Sequence, residues 1–209
     1  MKIVDFGYVS RRPARQVWQM AKLAPTVVLA VSLAGCLVPE KFVASVDVRP
    51  DGAYTYKYDG TAIEILAAAQ IAKVGKLSDK DEDKLKADVD KALKNPSFKK
   101  LAYLGRGKYD IQIEEVRSLG QQISTLPVLT VTKGKDGAIV IAGQALKEKE
   151  KSDLASVGIK MDGSLEVRLP SNAKVLETNA TGTPGFFSKA YSWKIGGVDK
   201  QPIIKFTLN

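Results

Sequence analysis

The sequence predicts an α+β domain, an antiparallel β-sheet with a two-helix insertion packed on one face, behind a cleaved N-terminal signal peptide. Residues 43–59 alternate apolar and polar, residues 61–93 switch to helical spacing, and short alternating segments return from 109 to 208 between turn signals. Strands interrupted by a helical pair are the pattern of an antiparallel sheet with helices segregated to one face.

Each element has its own signal. Val43 to Arg49 is rich in β-branched residues, Pro50-Asp51-Gly52 is a turn, and Ala53 to Asp59 alternates with Tyr54, Tyr56 and Tyr58 on one face, so the three together predict a hairpin. Thr61 to Val74 places Ile63, Leu66, Ala67, Ile71 and Val74 near helical spacing, and Gly75 ends it. A second helix is expected from Ser78 as N-cap, with Asp79, Asp81, Glu82 and Asp83 at its positive end. Its buried stripe is Leu85, Val89 and Leu93, and Asn95-Pro96 stops it. Tyr109-Ile111-Ile113, Ile139-Ile141, Leu165-Val167-Leu169, Tyr191-Trp193-Ile195 and Ile203 to Leu208 read as strands. Gly134-Lys135-Asp136-Gly137 is a hairpin loop, Asp162-Gly163 and Gly196-Gly197 are expected turns, and Lys147 to Lys151 a solvated loop or short helix.

The N-terminus carries the most specific motif. Thr26 to Leu33 is a short apolar run, preceded by Arg11, Arg12, Arg15 and Lys22 and followed by Ala34-Gly35-Cys36. A basic region, a short apolar region and small residues at a cut site form a secretory signal. Leu33, Ala34 and Gly35 before the chain's single cysteine make it a bacterial lipobox, with Cys36 the lipidated residue. The run is shorter than the roughly 20 apolar residues a spanning helix needs. The expected organisation is 1–35 signal peptide, with Met20 an alternative translation start, 36–41 lipidated N-terminus and short tether, and 42–209 a single domain. A diacylglyceryl cysteine, with a further acyl group such as palmitate, would hold the exported chain on the cell membrane, or on the periplasmic side of an outer membrane in a two-membrane organism.

Composition narrows the chemistry. Histidine is absent and the one thiol is assigned to lipid, so imidazole bases, Ser-His pairs, histidine–zinc sites and cysteine nucleophiles are excluded. The net charge of +9 falls to +5 once the first 35 residues are set aside, a surplus that suits anionic head groups or a plain solvated surface. An exported protein does not meet a genome, so no nucleic-acid partner is expected, and neither is a cofactor.

Three motif-like stretches read more simply as structure. Asp79, Asp81 and Asp83 match the first ligands of a calcium loop, but Lys84 stands where its glycine belongs and Asp90 where its bidentate glutamate belongs, so no metal is expected. Ser97-Phe98-Lys99-Lys100 matches a serine–lysine nucleophile pattern without its companion segments. Gly105-Arg106-Gly107-Lys108 reads as a β-turn leading into a strand rather than a phosphate loop. A carboxylate enzyme would have to draw on Asp47, Asp110, Glu114, Glu166 and Glu177, which share no recognisable spacing.

The C-terminal stretch Asn179-Ala180, a loop with Gly182, Pro184 and Gly185, Tyr191-Ser192-Trp193-Lys194-Ile195 and Pro202-Ile203-Ile204, together with the order lipobox, hairpin, two helices and strands, resembles the LppM-type lipoprotein domain over roughly residues 40–209. The resemblance implies an α+β lipid-binding-like fold and an association with cell-envelope glycolipids, and supplies no catalytic motif. The expected function is therefore a non-catalytic, membrane-anchored envelope lipoprotein that takes a lipid or glycolipid between sheet and helices. Its candidate ligand residues are Tyr54, Tyr56, Tyr58, Ile63, Leu66, Tyr191 and Trp193. The alternative is an envelope scaffold with no small-molecule ligand, in which the aromatic residues simply fill the core.

Overall fold

The computed structural model describes residues 37–144, 146–186, 188–196 and 201–209. The signal peptide, Leu33, Ala34, Gly35 and Cys36 lie outside the described residues.

The chain opens with the expected hairpin, but longer than expected. Strand β1 (Leu37–Val48) pairs antiparallel with β2 (Tyr54–Glu64), from Val48 opposite Tyr54 to Leu37 opposite Glu64. Gly52 turns the chain at φ 83°, and the Asp51 carboxylate accepts from the Ala53 N–H at 3.0 Å. Residues 37–41, expected as a tether, are already strand, because β2 continues through Glu64 and offers them partners. The same pairing takes Thr61 to Glu64 out of the expected first helix. Where β1 bulges between Pro39 and Phe42, Gly60 lies so close that a Cβ would stand 2.1 Å from the Lys41 carbonyl oxygen.

Helix α1 (Ile65–Val74) follows directly, N-capped by the Glu64 carboxylate on the Ala67 N–H and closed by Gly75 in the left-handed conformation. Helix α2 (Asp79–Ala92) starts at the expected Ser78 cap, with Asp79, Asp81 and Glu82 in its first turn. Leu85, Val89 and Ala92 pack on the core, while Leu93, expected in that stripe, is exposed just past the helix end. The acidic cluster thus serves the helix start, where the Asp81 carboxylate accepts from the Ser78 hydroxyl and the Gln70 amide.

Strands β3 (Phe98–Gly105) and β4 (Lys108–Arg117) form a second hairpin through the turn at Gly105-Arg106-Gly107. They join β7 (Asp162–Arg168) and β9 (Tyr191–Ile195) in a six-stranded sheet of order β3-β4-β2-β1-β7-β9. The β1–β7 pair is parallel, which the expected antiparallel sheet did not include. Asp162-Gly163, expected as a turn, lies inside β7, where Gly163 makes room for the Phe42 ring. A second, four-stranded sheet has the order β5-β6-β10-β8, from β5 (Leu129–Lys133), β6 (Ile139–Gly143), β8 (Ala173–Thr178) and β10 (Ile203–Leu208). Between β6 and β7 stands helix α3 (Glu148–Ser156), formed by the expected charged segment and its continuation to Ser156.

The class is α+β, with mostly antiparallel strands in two sheets rather than one. Strand alternation sends Val46, Tyr56, Glu115 and Val167 to one face in a row across the larger sheet. Val46, Tyr56 and Val167 join Val131, Ile141, Ile204 and Phe206 of the smaller sheet in one buried core. The second sheet covers part of the inner face, and α2 covers the β3–β4 end, where the Tyr109 hydroxyl donates to the Leu85 carbonyl at 3.2 Å.

Candidate functional site

The candidate site is a half-enclosed cavity of about 530 Å³ at the end of the sandwich where β1 begins. Leu37, Val38, Pro39 and Phe42 of β1 form one wall, Leu165 and Ile195 of the neighbouring strands a second, and Leu126-Pro127-Val128 a third. Leu146, Leu154 of α3 and Met161 close another side, and Ile65 brings in the first turn of α1. Its size lies within the roughly 300–1,000 Å³ of small-molecule sites, and its walls are apolar as such sites usually are. The polar side chains of the lining, Gln144, Glu150 and Asp153, are exposed and mark the rim.

The sequence builds this space locally. Helix α3 buries Leu154 against Ile63, Ala68 and Ile159, with Val38, Ile65, Leu146 and Val157 around them. This small satellite cluster holds α3 against the start of β1 and of α1, and leaves the gap between α3 and the two sheets unfilled. The Glu150 carboxylate accepts from the Lys147 N–H at 2.7 Å and fixes the start of α3 at the rim.

The opposite wall carries backbone strain. Leu126 is buried at φ 45°, a left-handed conformation uncommon for a leucine, immediately before Pro127. Such residues persist where their surroundings over-determine them, and they cluster at ligand sites. Here the clamp is Tyr56, whose buried hydroxyl donates to the Leu126 carbonyl at 2.9 Å. Tyr56→Phe is expected to destabilise the domain by about 1–3 kcal/mol, the range for a buried carbonyl left without its donor. Chemical denaturation with unchanged slope would check this, and an effect under a few tenths would mean that Leu126 finds another partner.

The residues singled out from the sequence do not assemble at this cavity. Tyr54, Tyr56 and Tyr58 are fully buried in the sandwich, and their hydroxyls donate to the carbonyls of Gln121, Leu126 and Thr61. Burial pushes all three above the ordinary tyrosine range. Ile63 is in the satellite cluster, Leu66 is exposed on α1, and Tyr191 is half-buried on β9. Trp193 is buried, and its indole N–H donates to the Asn179 side chain at 2.8 Å. The same Asn179 oxygen accepts from the Ile203 N–H, so the Asn–Trp pair braces β9 to β10. The cavity residues that sequence reading missed include the start of β1, the loop 126–128 and the helical Ile65 and Leu154. Their signal was the apolar Leu37-Val38-Pro39 directly after Cys36, and Leu126-Pro127-Val128 between two strands.

Four of the five candidate carboxylates form ion pairs, and Glu177 is exposed on β8. Asp47 and Glu166 both pair with Arg168, Asp110 pairs with Lys100 at 2.5 Å and Glu114 with Lys57 at 3.5 Å. Glu115 is buried and held by Arg117 at 2.6 Å and by the Ser124 N–H, which ties the 118–126 segment to β4. A larger hollow of about 670 Å³ over Lys41, Asp59, Asp162 and Lys194 is open to solvent and has mixed charge.

No protein-family model and no curated protein sequence matches the chain. Among solved structures it is similar to the folded domain of LppM from Mycobacterium tuberculosis, determined by NMR. That domain is 16% identical, with a TM-score of 0.41, over 81% of this chain and 90% of that one. At that distance the cavity has to be read from its own residues.

Proposed function

We propose that this chain is a non-catalytic lipoprotein of the bacterial cell envelope, anchored through Cys36, whose cavity shelters an apolar chain of an envelope lipid or glycolipid. The observation that carries the reading is the half-enclosed apolar cavity of about 530 Å³, walled in part by Leu37, the residue next to the proposed anchor. An acyl chain buried there gains about 0.8 kcal/mol per methylene removed from water. The rim suits a head group rich in hydroxyls, because Glu150, Asp153 and Gln144 accept hydrogen bonds from a sugar while the carboxylates repel a phosphate. The ion pairs that occupy Asp47, Asp110, Glu114 and Glu166 support a binding rather than a catalytic role.

The test is native mass spectrometry on the full mature protein extracted from its own membranes in mild detergent, followed by lipid extraction. The expected result is an acylated N-terminal cysteine and one further lipid held in stoichiometric amount. An acylated protein that is empty, and that ignores added envelope lipids, would move the reading to an envelope scaffold with a protein or polymer partner. An unmodified Cys36 would remove the anchor.

A further inference from the structure

Helix α1 is apolar nearly all round, which is unusual for a surface helix. Amphipathic helices normally turn their polar side outward. Here Ala67 and Ala68 are the buried residues, and the amide of Gln70 is turned to the Asp81 side chain of α2. The outward arc is Leu66, Ala69, Ala72 and Lys73, with Leu66 68% and Val74 59% exposed. We propose that this face of α1 docks on the phospholipid bilayer, lying in the membrane interface beside the anchor; the proposal rests on the reading of Cys36 as the lipidated residue.

Position and charge select this occupant. Leu37 pairs with Glu64, the N-cap of α1, so the preceding chain, ending at Cys36, leaves the domain beside the first turn of the helix. An anchor at that point holds α1 within a few ångströms of the lipid surface, since paired strands lie about 5 Å apart. At the far end of α1, Lys73 and Lys76 are exposed next to Val74. Lys73 within this face and Lys76 just beyond it complement anionic head groups, their stems lying along the apolar surface. Ten residues span about 15 Å, half the hydrocarbon thickness, so the helix lies on the bilayer and does not cross it. No helix among the described residues is long and apolar enough to cross. Because Ile65, the first residue of α1, also lines the cavity, docking sets the cavity against the membrane surface from which a lipid would enter.

The test uses the full chain, matured in the cell, carrying Leu66→Cys or, as control, Val116→Cys. Val116 is exposed near the other end of β4, about 26 Å from Lys108 at ~3.3 Å per residue. Each variant is labelled with the fluorophore NBD on its thiol, the sulfur of Cys36 being closed by its lipid. It is then placed in vesicles of equal parts phosphatidylcholine and phosphatidylglycerol that contain nitroxide-bearing lipid. The expected result is a blue-shifted emission at position 66, quenched severalfold more than that at position 116. Equal, water-like emission at both positions overturns the docking face while leaving the anchor intact. Dye uptake by the unsubstituted protein would show a free Cys36 thiol, and would overturn the anchor and the docking face together.

Discussion

Raising the pH past about 10 is expected to unfold this domain while its core tyrosines still hold their protons. Burial is the leading cause that lifts Tyr54, Tyr56, Tyr58, Tyr103 and Tyr109 above the ordinary tyrosine value. Tyr103 is pushed up to about 12, by burial first and then by the hydrogen bond its hydroxyl donates to the Glu82 carboxylate. In the unfolded chain these groups ionise near pH 10. Above that pH the native state binds more protons than the unfolded state, so stability falls as pH rises. Their contribution is fully present below pH 10 and is lost from there up through the folded values. A tenfold difference in proton affinity between the two states is worth about 1.4 kcal/mol for a buried group. Several such groups together can exhaust a domain stability of about 5–15 kcal/mol. Tyrosinate absorbance and circular dichroism followed together would show these five ionising in one step with unfolding. Ionisation of all five near pH 10 with the fold unchanged would contradict the assignment.

The same five residues show how much of the fold was legible. Alternation put Tyr54, Tyr56 and Tyr58 on one face, and they do share one. What alternation does not carry is what covers that face. The second sheet is made of four short strands that are spread from residue 129 to 208, and their grouping depends on β10 settling between β6 and β8. Local signals held where the chemistry is local, at the Pro50-Asp51-Gly52 turn, the Ser78 cap and the Gly75 helix end. They failed where tertiary pairing overrides propensity. Thr61 to Glu64 suit a helix but find strand partners on both sides, in Leu37–Pro39 and in Lys108–Asp110. Five of the seven candidate ligand residues are aromatic, and Tyr54, Tyr56, Tyr58 and Trp193 are buried with their polar atoms bonded within the fold. Each tyrosine hydroxyl of β2 meets a carbonyl, and two of them pin the 118–126 segment over the core. The cavity was illegible because it is a gap between elements distant in sequence. Its walls come from residues near 37, 65, 126, 146, 165 and 195, and no window of the sequence contains more than a fraction of them.

A bulky side chain placed in that gap separates cavity function from fold. Val128 lines the cavity, is half-buried just before β5 and packs on the core from its edge. Val128→Trp is expected to reduce the co-purifying lipid at least tenfold, because the indole occupies the volume an acyl chain would take. Overpacking a filled core destabilises by about 1–3 kcal/mol. Here the added ring has a half-open space of about 530 Å³ to enter, so the domain should keep its circular dichroism and most of its stability. Val128→Ala is the matching control, since it widens the cavity and leaves its rim of Gln144, Glu150 and Asp153 in place; lipid should be retained. If both variants carry the lipid in the same amount as the parent, the ligand lies elsewhere, and the cavity is only the space left where α3 bridges two sheets. If the tryptophan variant alone is empty while Cys36 remains acylated, the apolar walls at the start of β1 are the binding surface.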